Sequence, residues 1–424
     1  IEYVNNMRFT SEDIDYLRKK NLFNEGFLEY LKKFKFTGDI YAVKEGSVVF
    51  PNEPIVTVKA PVIEAQLIET MLLLTINHQS LIATKANRIV RAAKDRTVLE
   101  FGARRAQGYD AAILGARAAY IGRVHGSATA LSDIEFNVPA SGTMAHSFIQ
   151  LYNDEYEAFS AYAKHNPDNT TLLVDTYNVL ESGIPNAIRV AKEVLEPMGK
   201  RLKGVRLDSG DLTYLSNKSR KMLDEAGLED CKIVASNSLD EKIISELLNQ
   251  KAPIDIFGVG ERLITSKSQP VFGGVYKLCA VEENGELVPR IKISENVEKV
   301  TNPGYKTLYR FYDKDSKKAI GDVIALHDEI INKDEYEIFD PIHTWKRKIL
   351  KNFEVRKMQI PIFIKGECVY ESPSIQEIRE YCESEVESLW DEVKRFVNPQ
   401  EYYVDLSQKL YDLKQSLLKN HSFR

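Results

Sequence analysis

One pattern constrains this chain more than any other. Between residues 96 and 280, short apolar runs rich in β-branched residues end in polar residues or glycine, and a helical pattern usually follows. The runs are TVLEF (97–101), IEFNVPA (134–140), TTLLVDT (170–176), GVRLD (204–208), KIVAS (232–236), IDIFGVG (254–260) and VFGGVYKL (271–278). Runs this apolar fit parallel strands covered by helices. Strands alternating with helices imply βαβ units. Seven of them predict an α/β barrel, with an open doubly wound sheet as the alternative. In such barrels the chemistry sits where strands end and the following loops begin.

The flanks read differently. Residues 38–60 hold short alternating runs split by the turn signals KEG and PNEP, and residues 283–370 return to β-like alternation. Together they predict one small antiparallel sheet domain built from two chain segments. Residues 62–94 predict a long, largely buried helix with breaks. SIQEIREYCESEVESLWDEVKRF predicts a solvated helix near the C-terminus. The expected organisation is a small domain of residues 1–95 and 283–372, a barrel of 96–282 and a helical extension of 373–424.

Composition narrows the partners. A chain of 424 residues exceeds one ordinary core, and 43% hydrophobic with 28% charged content reads as soluble and globular. A net charge of -5 gives no strong pull toward nucleic acid or an anionic membrane, so any phosphate site must be local. MLLLTI at 71–76 is far too short to span a bilayer, and no charged-then-apolar leader opens the sequence. The four cysteines are scattered without a CxxC pair, which predicts reduced thiols in a cytoplasmic protein and argues against a zinc site.

The informative residues lie at the predicted strand ends. GARRAQG follows TVLEF, so Glu100, Arg104 and Arg105 crowd one turn. Adjacent arginines can hold carboxylate or phosphate oxygens, or one can pair with Glu100. GVRLD leads into SGDL, where Asp208, Ser209, Gly210 and Asp211 make a turn and Asp211 can cap the next helix. Arg206 and Asp208 share one face of their strand, and a buried Arg needs an anionic partner or ligand. Asp208 there suits ribose hydroxyls or a phosphate-bound Mg²⁺. Ser238 and Glu241 fit a capping box. Gly258 and Gly260 of GVGERLITS let backbone N–H groups approach a phosphate, although a tight turn explains them equally. Asp175 ends another strand and suits a turn or cap. SGTMAHSF (141–148) sets His146 behind Gly142 and Thr143; a lone histidine is more often structural than catalytic. His125, in GRVHGSA, reads as a loop residue.

Taken in order, EFGARRAQG, SGTMAHSF, LLVDTYNV, VRLDSGDL, VASNSLDE, FGVGERLITS, FGGVYKL and KISENVEKVTNPGYKTLYR closely resemble nicotinate phosphoribosyltransferases over residues 36–370. The resemblance implies an irregular α/β barrel with a smaller open-faced β-sandwich domain. It implies that nicotinate and 5-phosphoribosyl 1-diphosphate give nicotinate mononucleotide and pyrophosphate, an ATP-coupled step of NAD biosynthesis. By resemblance His146 is transiently phosphorylated by ATP with Mg²⁺, and Asp175 or Asp208 holds its other ring nitrogen. Arg206 clamps the nicotinate carboxylate, and Glu100 and Arg104 line the same pocket. Gly142, Thr143 and Ser147 surround the histidine. Ser236, Asn237, Gly258 and Gly260 cradle the 5-phosphate. Arg104, Arg105, and Mg²⁺ held at the turn of Asp208, Ser209 and Asp211, stabilise departing pyrophosphate. Glu261 departs from the threonine of many relatives and is expected to point away or pair with Arg262. Family members are homodimers with shared active sites, and an N-terminal segment supplies an aromatic residue to the base; nothing in residues 1–35 matches it.

Other readings remain at this level. Nicotinamide is neutral and needs no second positive charge, whereas quinolinate carries two carboxylates and needs more basic residues. A barrel that binds phosphoribosyl ligands without turnover is a different class. A phosphate-binding lyase would want a Schiff-base lysine, for which Lys277 is the candidate.

Overall fold

Six parallel strands form a sheet in the middle of the chain. Their hydrogen-bonded order is Gly126–Ser127, Thr97–Glu100, Ile256–Val259, Lys232–Ser236, Gly204–Leu207, Thr171–Leu173. The computed structural model describes residues 1–295 and 300–421; residues 296–299 of the KISENVEKVTNPGYKTLYR motif and 422–424 of the predicted extension lie outside the described residues. Five strands coincide with predicted apolar runs. Val98, Leu172, Val205, Ile233 and Phe257, one from each, are wholly buried. Burying a side chain of this size contributes roughly 1.5–3 kcal/mol. These strands are therefore held by apolar faces covered on both sides, as the sequence pattern requires.

Two predicted strands are not strands. Within 134–140 the chain is helical over Ala130–Phe136, Asn137 leaves the helix at φ 57°, and only Ala140 makes a parallel bridge, to Ser127. The apolar positions there follow a helical face. Ile134 is exposed, while Ser132 is buried and donates its hydroxyl to the Ile113 carbonyl at 3.0 Å. Residues 271–278 are irregular: Gly273 takes φ 78°, and Val271, Val275 and Leu278 are exposed rather than covered. The sixth strand, Gly126–Ser127, was hidden in GRVHGSA because two small residues carry no periodicity. His125 beside it is structural, its Nδ1 accepting the Val98 N–H at 3.1 Å.

The two ends of the strand order approach each other through side chains. Beyond the Ala140 bridge the chain reaches His146, whose Nδ1 lies 3.1 Å from Thr176 Oγ1, just past Thr171–Leu173.

The chain divides into two compact units, Ile76–Gly273 and Ile1–Thr75 with Gly274–Arg424. The expected boundaries at 95/96 and 282/283 therefore shift. The predicted long helix breaks at Ile68 into Val62–Leu67 and Glu69–Ala93. Its second half belongs with the parallel sheet because Gly122 leaves no room for a side chain against the Ala83 carbonyl and Ala86. In the other unit, Asp39–Val43 and Val56–Lys59 share an antiparallel sheet with Gln359–Ile364 and Glu367–Cys368, so two distant segments do build one sheet. A second sheet orders Phe353–Lys357, Lys306–Asp313, Ala319–Leu326 and Val404–Leu406, the last pairing in parallel.

That last strand corrects the expectation of a separate helical extension. Leu406 and Leu410 are buried in the same cluster as Leu308, Ile324 and Met358. The helix Ile375–Glu387 opens on a capping box of Ser374 and Glu377, yet it is not fully solvated. Its Glu385 is buried and paired with wholly buried Arg310 at 3.2 Å, and Arg310 also pairs with Asp322 at 2.7 Å. Among the described residues no helix is long and apolar enough to cross a membrane.

The C-terminal strand also makes stability depend on pH. Asp405 is buried, and burial first, then the Asp340 charge, push its carboxyl up to about 6. The unfolded carboxyl titrates near 3.9. Between those values the folded chain holds a proton that the unfolded chain has released, so stability falls as pH rises through this window and stays lower above it. Asp405→Asn removes the penalty. We expect it to raise stability at pH 7.5 by about 2 kcal/mol, read by urea unfolding, with the gain shrinking toward zero near pH 4. An equal gain at both pH values would remove Asp405 from this role.

Candidate active site

His146 opens the short helix His146–Gln150, with its side chain 40% exposed. Two carboxylates face one ring nitrogen: Nε2 lies 3.8 Å from Asp175 Oδ1 and 3.7 Å from Asp208 Oδ2. Thr176 Oγ1 meets the other, Nδ1, at 3.1 Å. Asp175 is nearly wholly buried because it leaves the strand end Thr171–Leu173 beneath the next turn. Its Oδ2 accepts the Asp208 N–H at 3.0 Å and the Ser209 hydroxyl at 2.5 Å. Its Oδ1, the atom facing the histidine, is buried with no hydrogen-bond partner. An unpartnered buried acceptor is destabilising, and Nε2, at 3.8 Å, is the ring nitrogen that faces it. Both carboxylates named as candidates, Asp175 and Asp208, thus approach Nε2, each from beyond hydrogen-bond distance.

Arg206 ties two strand ends to the loop before His146. Its Nε donates to Ser236 Oγ at 2.8 Å, Nη1 to Thr143 Oγ1 at 2.8 Å and Nη2 to Asp208 Oδ1 at 2.9 Å. Ser236 Oγ also donates to Asp208 Oδ1. The guanidinium carbon lies 5.6 Å from the centre of the Phe101 ring. A guanidinium has five N–H donors, so two remain for a ligand. The anionic partner that a buried arginine requires is thus Asp208.

Other predicted residues spread around this cluster. Glu100 is fully buried, accepting from the Ser127 hydroxyl at 2.6 Å and from the Gly102 N–H. Burial pushes its carboxyl up, while those hydrogen bonds oppose the shift. It does not pair with Arg104 or Arg105, which stand exposed on the turn Ala103–Arg105. Gly142 has open space around it, and Ser147 is exposed one residue beyond the histidine. Asp211 caps the helix Leu212–Glu225, accepting the Tyr214 N–H at 3.0 Å.

The residues expected to cradle a phosphate occupy different settings. Gly258 lies inside the strand Ile256–Val259, where an added Cβ would come within 2.5 Å of the Phe101 ring. It makes room for that ring and is not a loop glycine. Gly260 ends the strand and precedes the turn Glu261–Ile264. Ser236 is occupied by Arg206 and Asp208, and Asn237 leads out of its strand at φ 78°. The Ser238 capping box is absent: Asp240 caps Glu241–Asn249, and Glu241 is drawn inward to the buried Lys85 at 2.6 Å. Glu261 pairs with Lys267 at 2.8 Å, while Arg262 takes Asp240 at 2.6 Å. Lys277 lies in the irregular 271–278 segment, outside the parallel sheet.

Sequence reasoning missed Thr176 and Phe101. Each adjoins a selected carboxylate, in VDT and in LEF, so its place directly after a strand-end acid was the available signal.

Fold and site together define a mixed α/β enzyme whose parallel strand ends gather a histidine, two carboxylates and an arginine. The profile of the nicotinate phosphoribosyltransferase (NAPRTase) family matches residues 97–328, that of its N-terminal domain residues 1–77 and that of its C-terminal domain residues 305–414. The chain is 49% identical to the nicotinate phosphoribosyltransferase of Bacillus subtilis (strain 168), over 98% of this chain and 84% of that one. It is 36% identical to the one from Dictyostelium discoideum, over 97% of this chain and 79% of that one. The crystal structure of human nicotinic acid phosphoribosyltransferase superposes with a TM-score of 0.85 at 27% identity, covering 98% of this chain and 90% of that one. The chain belongs to the nicotinate phosphoribosyltransferase family.

Proposed function

We propose that this chain transfers the phosphoribosyl group of 5-phosphoribosyl 1-diphosphate to nicotinate in NAD biosynthesis, coupled to ATP through a phosphate carried on His146. Family membership supports the transfer. The observation that carries the coupling is the grip on His146: two carboxylates at Nε2 and one hydroxyl at Nδ1. Asp175 and Asp208 hold the proton at Nε2, which leaves the Nδ1 lone pair as nucleophile, with Thr176 donating to it at rest. Attack of Nδ1 on the γ-phosphorus breaks the bond to the β-phosphate oxygen and releases ADP. The ring becomes cationic, and the two carboxylates stabilise that charge as it develops.

In base transfer the bond from ribose C1 to pyrophosphate breaks, and the pyridine nitrogen of nicotinate bonds to C1. Arg104 and Arg105 stand exposed, free to take up the departing charge. The turn of Asp208, Ser209 and Asp211 would offer oxygen ligands to Mg²⁺ bound to the phosphates of ATP or phosphoribosyl diphosphate, which would neutralise their charge. The two remaining Arg206 N–H groups would hold the nicotinate carboxylate, with the Phe101 ring as an apolar face for the pyridine. Asn237 and Gly260 are the strand-end residues placed for the 5-phosphate. The approach of His146 to Thr176 supports an irregular barrel closed at this point, and a homodimer with shared sites is the expected assembly.

The test compares bases. Nicotinate turnover should exceed nicotinamide turnover by about 100-fold or more, because a partly buried guanidinium facing a neutral amide loses a charge-assisted pair. ATP should raise the nicotinate rate. Equal turnover of nicotinamide, or of quinolinate, would overturn the acid assignment.

A further inference from the structure

We propose that Glu155 is a positioning residue for His146, acting through Ser182 and the turn Val179–Gly183 to hold the strand end that carries Asp175 and Thr176. The inference rests on the phosphate-accepting role of His146 for its kinetic consequence, but not for its geometry.

Glu155 is the first residue of the helix Glu155–His165 and is 2% exposed. Its Oε2 accepts the Ser182 hydroxyl at 2.5 Å and the Asn186 amide at 3.4 Å. Its Oε1 is buried with no hydrogen-bond partner. A buried carboxyl held by two neutral groups is an expensive way to anchor a helix. Burial pushes this carboxyl up, and the charge of Asp175 pushes the same way, so the two acids are electrostatic neighbours. The partner of Glu155 is also unusual. Ser182 lies in a π-helical turn, Val179–Gly183, a geometry rare in proteins and found mostly at functional sites. Asn178 fixes the start of that turn, its side chain accepting the Leu180 and Glu181 N–H groups at 3.1 and 3.0 Å. Gly183 fixes the end. An added Cβ there would fall 1.9 Å from the Val174 carbonyl oxygen, so the turn rests directly on the backbone of the residue before Asp175.

The consequence is mechanical. Pulling Ser182 toward Glu155 sets the height of the turn, and Gly183 transmits it to Val174. Asp175 and Thr176, the next two residues, face opposite nitrogens of the same imidazole, Asp175 at 3.8 Å and Thr176 at 3.1 Å. Releasing the pull misaligns the ring without removing any group that touches substrate.

The experiment uses the full chain and the variants Glu155→Ala, Glu155→Gln and Ser182→Ala. Capture of ³²P from γ-labelled ATP is followed in single turnover, and ¹⁵N spectra report which His146 nitrogen carries the proton. In Glu155→Ala and Ser182→Ala, labelling should slow by about tenfold or more, with the KM for ATP within about twofold, as expected of a misplaced reacting group. Glu155→Gln keeps an acceptor oxygen for Ser182 and should recover most of the rate. In both slow variants the His146 ¹⁵N signals should show mixed tautomers. Folded variants with wild-type labelling and unchanged ¹⁵N signals overturn the inference, as does a Gln variant as slow as Ala. If Glu155→Ala does not fold, Ser182→Ala decides. If the wild-type protein takes no label yet makes nicotinate mononucleotide, the phosphohistidine reading fails, and the ¹⁵N signals alone still test Glu155.

Discussion

His146→Ala should abolish capture of the γ-phosphate of ATP on the protein and remove the stimulation of nicotinate turnover by ATP. The expectation follows from the surroundings of the ring and not from the presence of a histidine. Asp175 Oδ1 is buried, without a hydrogen-bond partner and 3.8 Å from Nε2, so its charge is placed to stabilise a cationic imidazole. On the proposed mechanism, phosphorylation of Nδ1 would create that cation. Asp175→Asn keeps the shape but removes the charge, and should slow labelling by about 100-fold, the scale of one electrostatic partner at a developing charge. Base transfer without ATP should persist in both variants, because neither Asp175 nor His146 is the proposed contact of nicotinate. Undiminished labelling of His146→Ala would place the phosphate acceptor elsewhere.

Arg206→Ala should raise the KM for nicotinate by about 30-fold or more, with a much smaller change for phosphoribosyl diphosphate, the scale of a lost charge-assisted hydrogen bond. The structure adds a second consequence. Arg206 is the donor shared by Ser236, Thr143 and Asp208, so its loss loosens the loop before His146 and frees one oxygen of Asp208 from its cation. The ATP-dependent rate should therefore fall too. Arg206→Lys should rescue neither effect, since an ammonium cannot span three acceptors set around a planar fork. Equal KM changes for both substrates would move Arg206 to the phosphate site.

These effects show what was legible in the linear chain. KIVAS reads as a strand over its full length, Asp211 as a helix cap, and segments 38–60 and 283–370 as sharing one sheet, of which 359–368 does pair with 39–59. Each depends on a short-range period or on a residue's own conformational preference. Errors came where periodicity was short or the pattern was borrowed. Residues 134–140 alternate over too few positions to separate strand from helix. Ser238 and Glu241 match a capping box in spacing, but Lys85, 156 residues away, takes the glutamate.

The sequence by itself determined five of the six parallel strands, the polar residues that end them and the family, because apolar periodicity and strand-end chemistry are written locally. Only the tertiary structure decided how those ends combine. That Asp175 and Asp208 both face Nε2, that Thr176 holds Nδ1, that Gly258 yields space to Phe101 and that Arg206 reaches Thr143 across 63 residues all follow from which strands became neighbours. Strand order is set by packing of the whole sheet, and no local segment of the chain encodes it.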